Sequence, residues 1–261
     1  MRKLLSRLLM LALLAATALP ASAAELRLAA ASDLAFVLPE IVAGFEKQSG
    51  ATVKVSFGSS GNFAAQIQNG APFDVFMAAD IGYPRTLIEA SLADGSSLYV
   101  YGSGRIVVWV PEGSKLDFDR GGMRVLLDKE VKKIAIANPQ HAPYGRAAVA
   151  AMEHYHVYAQ VKPKLVLGEN ISQAAQFVQS GNAEAGILAL SLVLAPEMHD
   201  KGKYWLIPGS SYPAIEQAAV VVKNASDQKL ARAFVDYLKS PVAVELFRRY
   251  GFEVEAPRPS K

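Results

Sequence analysis

Four short stretches of this chain carry residue types able to do chemistry, and they share one composition. They are Ala31-Ser32-Asp33, Gly58-Ser59-Ser60-Gly61, Ala142-Pro143-Tyr144-Gly145 and Glu169-Asn170-Ile171-Ser172. Each falls where a strand-like pattern hands over to a helix-like one. A helix start leaves its first N–H groups without intrahelical acceptors, and the positive end of the helix dipole lies at the same place. Hydroxyls and small residues at such a start suit an anion. Any one of them is equally well explained as a serine capping its helix. In open α/β sheets, however, these junctions gather outside the carboxyl ends of the strands, where ligands bind. Four of them in one cleft make a site for a small, fully ionised anion held by hydroxyls and amides.

The same residues allow a second reading, a secreted hydrolase with Ser60 as nucleophile and His141 as base. A nucleophile elbow needs glycines two before and two after the serine; Gly58 fits and Asn62 does not. His141, His154, His156 and His199 show no metal-ligand spacing, and His154-x-His156 reads as an exposed pair near a helix end. Asp117-Phe118-Asp119 reads as a solvated turn rather than a cation site. There is no GxGxxG and no Walker loop. Asp33 separates two kinds of cargo. A phosphate that keeps a proton gains from an acceptor carboxylate, whereas a fully deprotonated dianion needs donors only and is repelled by a carboxylate facing it. The expectation is that Asp33 folds its side chain onto its own helix as a cap and offers the anion its amide.

Strands and helices must hold these junctions in place. Residues 26–31 read as a short apolar strand, followed by helical spacing up to Gly50 with Pro39 kinking the helix or displacing its start. A strand at 52–57, a turn at 58–62 and a helix at 63–69 stopped by Gly70 come next. A buried strand at 72–78 and a helix at 84–90 complete a parallel α/β rhythm. Tyr101-Gly102-Ser103-Gly104 reads as a break, and a strong strand at 105–111 leaves it. The rhythm restarts with strands at 134–137, 164–167 and 185–190 and helices at 145–155 and 172–180. A long apolar strand at 214–223 precedes two closing helices, one capped by Ser226 and one opened by Ser240-Pro241. The strands near Arg105 and Gln217 bracket the middle block. The expected fold is therefore α/β with two lobes, 24–104 with 215–261 and 105–214, each a mostly parallel sheet flanked by helices. Two crossing strands would hinge them.

The chain opens with Arg2, Lys3 and Arg7, an apolar run from Leu8 to Leu19, and Pro20-Ala21-Ser22-Ala23. That is the pattern of a secretory signal peptide over 1–23, cleaved after Ala23. Three of the 27 basic residues and none of the 24 acidic ones lie in this leader, so the exported chain is electrically balanced. With no basic stripe, nucleic acid is not an expected partner. The anion's donors should be neutral groups. The chain has no cysteine, which excludes disulfides and thiolate chemistry. With the simple leader it points to a bacterial periplasm.

Read as a whole, the chain resembles periplasmic molybdate-binding proteins, the receptors of molybdate ABC importers. The resemblance is carried by Ala29-Ala30-Ala31-Ser32, by Gln66 through Phe76 with Asp74, and by Ala79-Asp80. It continues through Ala137 to Gly145, Gly168 to Ser172, Tyr237 to Pro241 and Phe247 to Phe252. It implies a two-lobed, hinged binding protein of the type II kind that closes on a tetrahedral oxyanion without a cationic side chain. It implies the hydroxyls of Ser32 and Ser60 and the amides of Asp33, Tyr144 and Ile171 as ligands. No cofactor, no cation and no catalysis are implied. The expected partners are molybdate or tungstate and the permease subunits of an importer, and the expected state is a monomer. Sulfate or phosphate remains an alternative cargo for the same fold. Some members of the family supply a tyrosine hydroxyl from the position of Ala189. The expectation for this chain is that the Tyr144 hydroxyl takes over that contact.

Overall fold

The computed structural model describes residues 24–254. The leader read at 1–23 and the Pro-Arg-Pro-Ser-Lys tail lie outside the described residues. The described chain builds two five-stranded sheets. The first uses β1 (Glu25–Ala31), β2 (Thr52–Gly58), β3 (Val75–Ala78), β4 (Tyr99–Gly104) and β10 (Ile215–Val221), in the order β2-β1-β3-β10-β4. The second uses β5 (Ile106–Pro111), β6 (Ile134–Ala137), β7 (Leu165–Gly168), β8 (Ala185–Ala189) and β9 (Gly202–Leu206), in the order β7-β6-β8-β5-β9. In each sheet three strands run parallel and two join antiparallel: β1 pairs β2 and β3 in parallel, and β6 pairs β7 and β8. The antiparallel pairs are β10 with β3 and β4, and β5 with β8 and β9.

The centre of the first sheet, β1, β3 and β10, is largely apolar because helices cover both its faces. Side chains alternate across the sheet. Leu26, Leu28 and Ala30 of β1 enter one core with Val75, Met77, Ala219 and Val221, while Ala29 joins Phe76, Ala78 and Val220 in the other. The first core is closed by α1 (Val37–Ser49) and the C-terminal helices α6 (Gln228–Tyr237) and α7 (Pro241–Arg249), through Phe45, Phe234 and Phe247. The second is closed by α2 (Ser60–Gln68) and α3 (Gly82–Glu89), through Phe63, Ile67 and Leu87. The second sheet is flanked by α4 (Pro143–His154) and α5 (Ile171–Gln179), packed against Ile134, Ile136 and Ile187.

Several local expectations need correction. Residues 101–104 are not a break but the end of β4, an edge strand whose pairing with β10 shifts between Gln217 and Ala218. Strand β9 is short and half exposed and carries no strong periodicity. Pro39 does displace the first helix: Ser32–Leu34 forms a separate 3-10 turn, and α1 starts at Val37, with Pro39 in its first turn where its missing N–H costs nothing. Helix α2 starts at Ser60 rather than at residue 63, and α4 at Pro143 rather than at 145. Asp227, not Ser226, caps α6. Ser226 instead donates to the buried Asp74 carboxylate at 2.9 Å. The chain passes from the first sheet to the second between β4 and β5 and returns between β9 and β10.

Candidate functional site

Each of the four junctions lies at the carboxyl end of a parallel or mixed strand, and the two sheets turn those ends toward each other. Ser32 and Asp33 follow β1, Ser59 and Ser60 follow β2, Tyr144 follows β6 and Ile171 follows β7. All of them line one small cavity, together with Ala31, Gly58, Ala79, Ala142, Pro143 and Asn170. The cavity is small, with room for about one water-sized group. No lysine, arginine or histidine is in its lining. The starts of α2, α4 and α5 meet there, and amides in the first turn of a helix have no intrahelical acceptor.

The serines are held in a donating posture. Ser60 is fully buried, and its oxygen accepts from the Ala79 amide at 2.9 Å. Ser32 accepts from the Ser172 amide at 3.3 Å. With an oxygen lone pair engaged in each case, the hydroxyl hydrogen is left for another acceptor. Asn170 caps α5 by accepting from the Gln173 amide at 3.1 Å. That bond leaves the Ile171 amide at the first position of the helix.

The junctions also bind one another across the cleft. The Gly61 amide, one residue into α2, donates to the His141 carbonyl at 2.9 Å. The His141 ring reaches Ser59 Oγ at 2.9 Å, and its other nitrogen lies 3.7 Å from Glu169. Asn62 donates to Glu169. Ser172 Oγ donates to the Ser32 carbonyl and Ser191 Oγ to the Asp33 carbonyl, both at 2.8 Å. At the rim, Arg146 of α4 pairs with Asp80 at 2.6 Å and donates to the Tyr83 hydroxyl at 3.1 Å. His141 therefore spends its ring on Ser59 and Glu169 rather than on Ser60. The nucleophile–base pair of the hydrolase reading is not formed.

Two expectations about side chains are overturned together. Asp33 does not cap its own helix through its side chain: the 3-10 turn has no side-chain cap, and the Asp33 carboxylate is 1% exposed. Its Oδ2 accepts from the Tyr144 hydroxyl at 2.9 Å and from Gln217 Nε2 at 2.7 Å, while Oδ1 is buried without a hydrogen-bond partner. The Tyr144 hydroxyl is accordingly committed to Asp33. In this arrangement it is not free for the contact that some members of the family supply from the position of Ala189. Gln217 also donates to Tyr144 at 2.9 Å and accepts from Tyr101 at 2.9 Å, which completes a buried chain of four side chains. Burial pushes the Asp33 carboxyl from 3.8 up to about 6, against the lowering effect of the bonds from Gln217 and Tyr144 and of its own amide nearby. Burial, with the Asp33 charge adding to it, holds both phenols well above their ordinary range.

Sequence reasoning missed Gln217, Ser172, Ser191 and the Arg146–Asp80 pair. Gln217 left one signal: an uncharged polar residue amid Ile215–Val221, whose burial obliges it to find partners. The others are bonds between residues far apart in the chain, and no local pattern marks them.

The model for bacterial extracellular solute-binding proteins matches residues 26–253. The chain is 40% identical over 245 residues to molybdate-binding protein ModA of Rhodobacter capsulatus, covering 94% of each. It is 41% identical over 235 residues to the Azotobacter vinelandii protein of the same name, covering 90% of this chain and 92% of the relative. It also superimposes on the solved periplasmic molybdate-binding protein of Azotobacter vinelandii. The TM-score is 0.83 at 31% identity, over 88% of this chain and 100% of the other. A match along almost the whole described chain, with a lining of donors and no assembled nucleophile, makes this chain a member of the bacterial extracellular solute-binding proteins, receptors rather than enzymes.

Proposed function

We propose that this chain is a periplasmic receptor that captures molybdate, and tungstate with it, in the cleft between its lobes and delivers it to the membrane subunits of an ABC importer. The observation that carries the reading is the small cavity where four helix and turn starts converge without a cationic side chain. A dianion gives up a costly water shell, so its site must offer about as many fixed donors in return. The hydroxyls of Ser32 and Ser60 and the amides of Asp33, Tyr144 and Ile171 are the donors we assign. The names of the two relatives at 40% and 41% identity support molybdate as cargo.

Capture would work by closure. Residues 24–104 with the described part of 215–261 form one lobe and 105–214 the other, and the two crossings between the sheets act as the hinge. An anion touching junctions from both lobes makes more contacts in the closed form, and only that difference shifts the equilibrium. The cross-cleft bonds of Gly61, Ser172, Ser191 and Tyr144 support reading the present arrangement as the closed one. Molybdate and sulfate share charge and shape, so cavity size is what separates them. Tungstate, close to molybdate in size, is admitted. The receptor works as a monomer.

The test is the thermal midpoint of the exported protein with molybdate, tungstate, sulfate or phosphate at millimolar concentration. A ligand at a thousand times its dissociation constant adds about 4 kcal/mol of stability. A large shift with molybdate and tungstate alone is expected. A shift with sulfate or phosphate alone would keep the fold and change the cargo, and no shift with any of the four would remove the oxyanion site.

A further inference from the structure

A site made only of donors suits a fully deprotonated dianion, yet this one contains a buried carboxylate. Asp33 lines the cavity and is 1% exposed. Every element packed around it presents a neutral group. Tyr144 comes from α4, Gln217 from β10, Tyr101 from β4 behind Gln217, and Ser191 from the helical turn after β8. Among the described residues Asp33 has no ion pair, so nothing cationic compensates its charge. Oδ2 already accepts two hydrogen bonds, while Oδ1 is sealed from solvent with no partner. An ionised oxygen in that position lacks what every buried carboxylate oxygen needs, and a hydrogen on it would remove the charge.

Resting on the oxyanion reading above, we infer that Asp33 takes up a proton on Oδ1 when the lobes close on a dianion, so that capture is coupled to protonation. In the open form, with Tyr144 withdrawn on its own lobe, water can solvate the carboxylate and it ionises as usual. Closure seals the carboxylate, already bonded by Gln217 of its own lobe, under the Tyr144 phenol of the other, and the cargo adds two negative charges to the same dry space. Both changes favour the acid form. The balance is simple: one proton leaves the solvent, bonds to Oδ1, and the closed complex carries one negative charge fewer. The burial that already lifts this carboxyl in the unliganded closed arrangement agrees with that direction. The affinity for a dianion then rises as pH falls, by up to tenfold per pH unit where uptake approaches one proton. The ordinary cost of a carboxylate near a dianion becomes a pH-dependent grip.

The experiment is calorimetric titration of the exported protein with molybdate near neutral pH, in two buffers of different ionisation heat. It is paired with affinities from about pH 6 to about pH 8, where molybdate stays deprotonated, for wild type and Asp33→Asn. The expected result is net proton uptake by the wild type, an affinity that weakens as pH rises, and both effects lost in Asp33→Asn. Tight binding with no uptake would overturn this inference and leave the oxyanion reading standing. Uptake that persists in Asp33→Asn would also overturn it, because the proton then goes elsewhere. If Asp33→Asn does not fold, the wild-type proton count alone decides. If molybdate does not bind at all, the function reading fails and this one falls with it.

Discussion

Replacing Gly61 by alanine separates closure from folding. Gly61 sits in the first turn of α2, in the first lobe, with no unusual backbone angle to protect. A β-carbon there would lie 2.7 Å from the His141 carbonyl oxygen and 3.0 Å from the His141 α-carbon, both backbone atoms of the other lobe. It would also lie 2.8 Å from the Tyr83 hydroxyl, the tip of a side chain that can swing away. The backbone contacts cannot move without moving the loop that leads to Tyr144. Closure must therefore stop short, stretching the Gly61 N–H bond to the His141 carbonyl, 2.9 Å in the wild type. Overpacking of this kind costs about 1–3 kcal/mol. If it falls wholly on the closed state, the affinity for molybdate drops by roughly 5- to 150-fold. The first lobe by itself loses nothing, since alanine is the better helix former by up to about 1 kcal/mol. Calorimetric affinity and the unliganded melting midpoint should move apart, affinity falling while the midpoint holds or rises. An affinity within about twofold of wild type would refute the argument. So would an affinity loss matched by a lower midpoint.

Three further outcomes follow from the same geometry. Ser60→Ala removes the assigned hydroxyl donor and should weaken molybdate binding by about 1.5–3 kcal/mol. It also leaves the Ala79 amide without its acceptor, so a small fall in unliganded midpoint accompanies it; a fall in midpoint with unchanged affinity would make Ser60 structural only. Tyr144→Phe deletes the donor to Asp33 and the acceptor for Gln217 and should cost about 1–3 kcal/mol of closure, read as affinity. Binding equal to wild type would reduce the phenol to a packing role. For Asp33 the folded carboxyl titrates near 6 and the unfolded one at 3.8, so the unfolded chain binds fewer protons between those values. Its contribution thus opposes folding increasingly from about pH 4 to about pH 6 and by about 3 kcal/mol above that. Where the unliganded protein rests in the closed arrangement, the midpoint gap between Asp33→Asn and wild type should widen over that window and stay level beyond it; a gap independent of pH would place the unliganded protein in the open form.

Much of the fold could be read because its elements declare themselves locally. The central strands β3, β5, β6 and β8 are short apolar runs buried on both faces, and Gly50, Gly70, Gly181 and Gly251 end helices in the left-handed conformation that glycine tolerates best. The misreadings share a cause. Tyr101-Gly102-Ser103-Gly104 looks like a break because two glycines depress its strand propensity. Yet it is held by β10 from 111 or more residues away, and Ser103 also exchanges two backbone bonds with Glu253. Pairing with a distant strand decided that segment, and its own composition could not.

The site divides along the same line. The donors assigned to it are junction residues, whose serines, glycines and helix starts form a pattern within four or five positions, so they could be picked out one by one. What the side chains do with each other could not. Asp33 beside a helix start has every local reason to cap it, and loses that role because Tyr144, 111 positions on, and Gln217, 184 positions on, reach its carboxylate first. Tyr144 in turn is unavailable to an anion because its hydroxyl must satisfy a group in the other lobe. Under the proposed function these bonds form as the lobes close. A contact of that kind is selected in the folded ensemble rather than in any segment, which is why the residues assigned to the anion are written locally and the bonds between distant side chains are not.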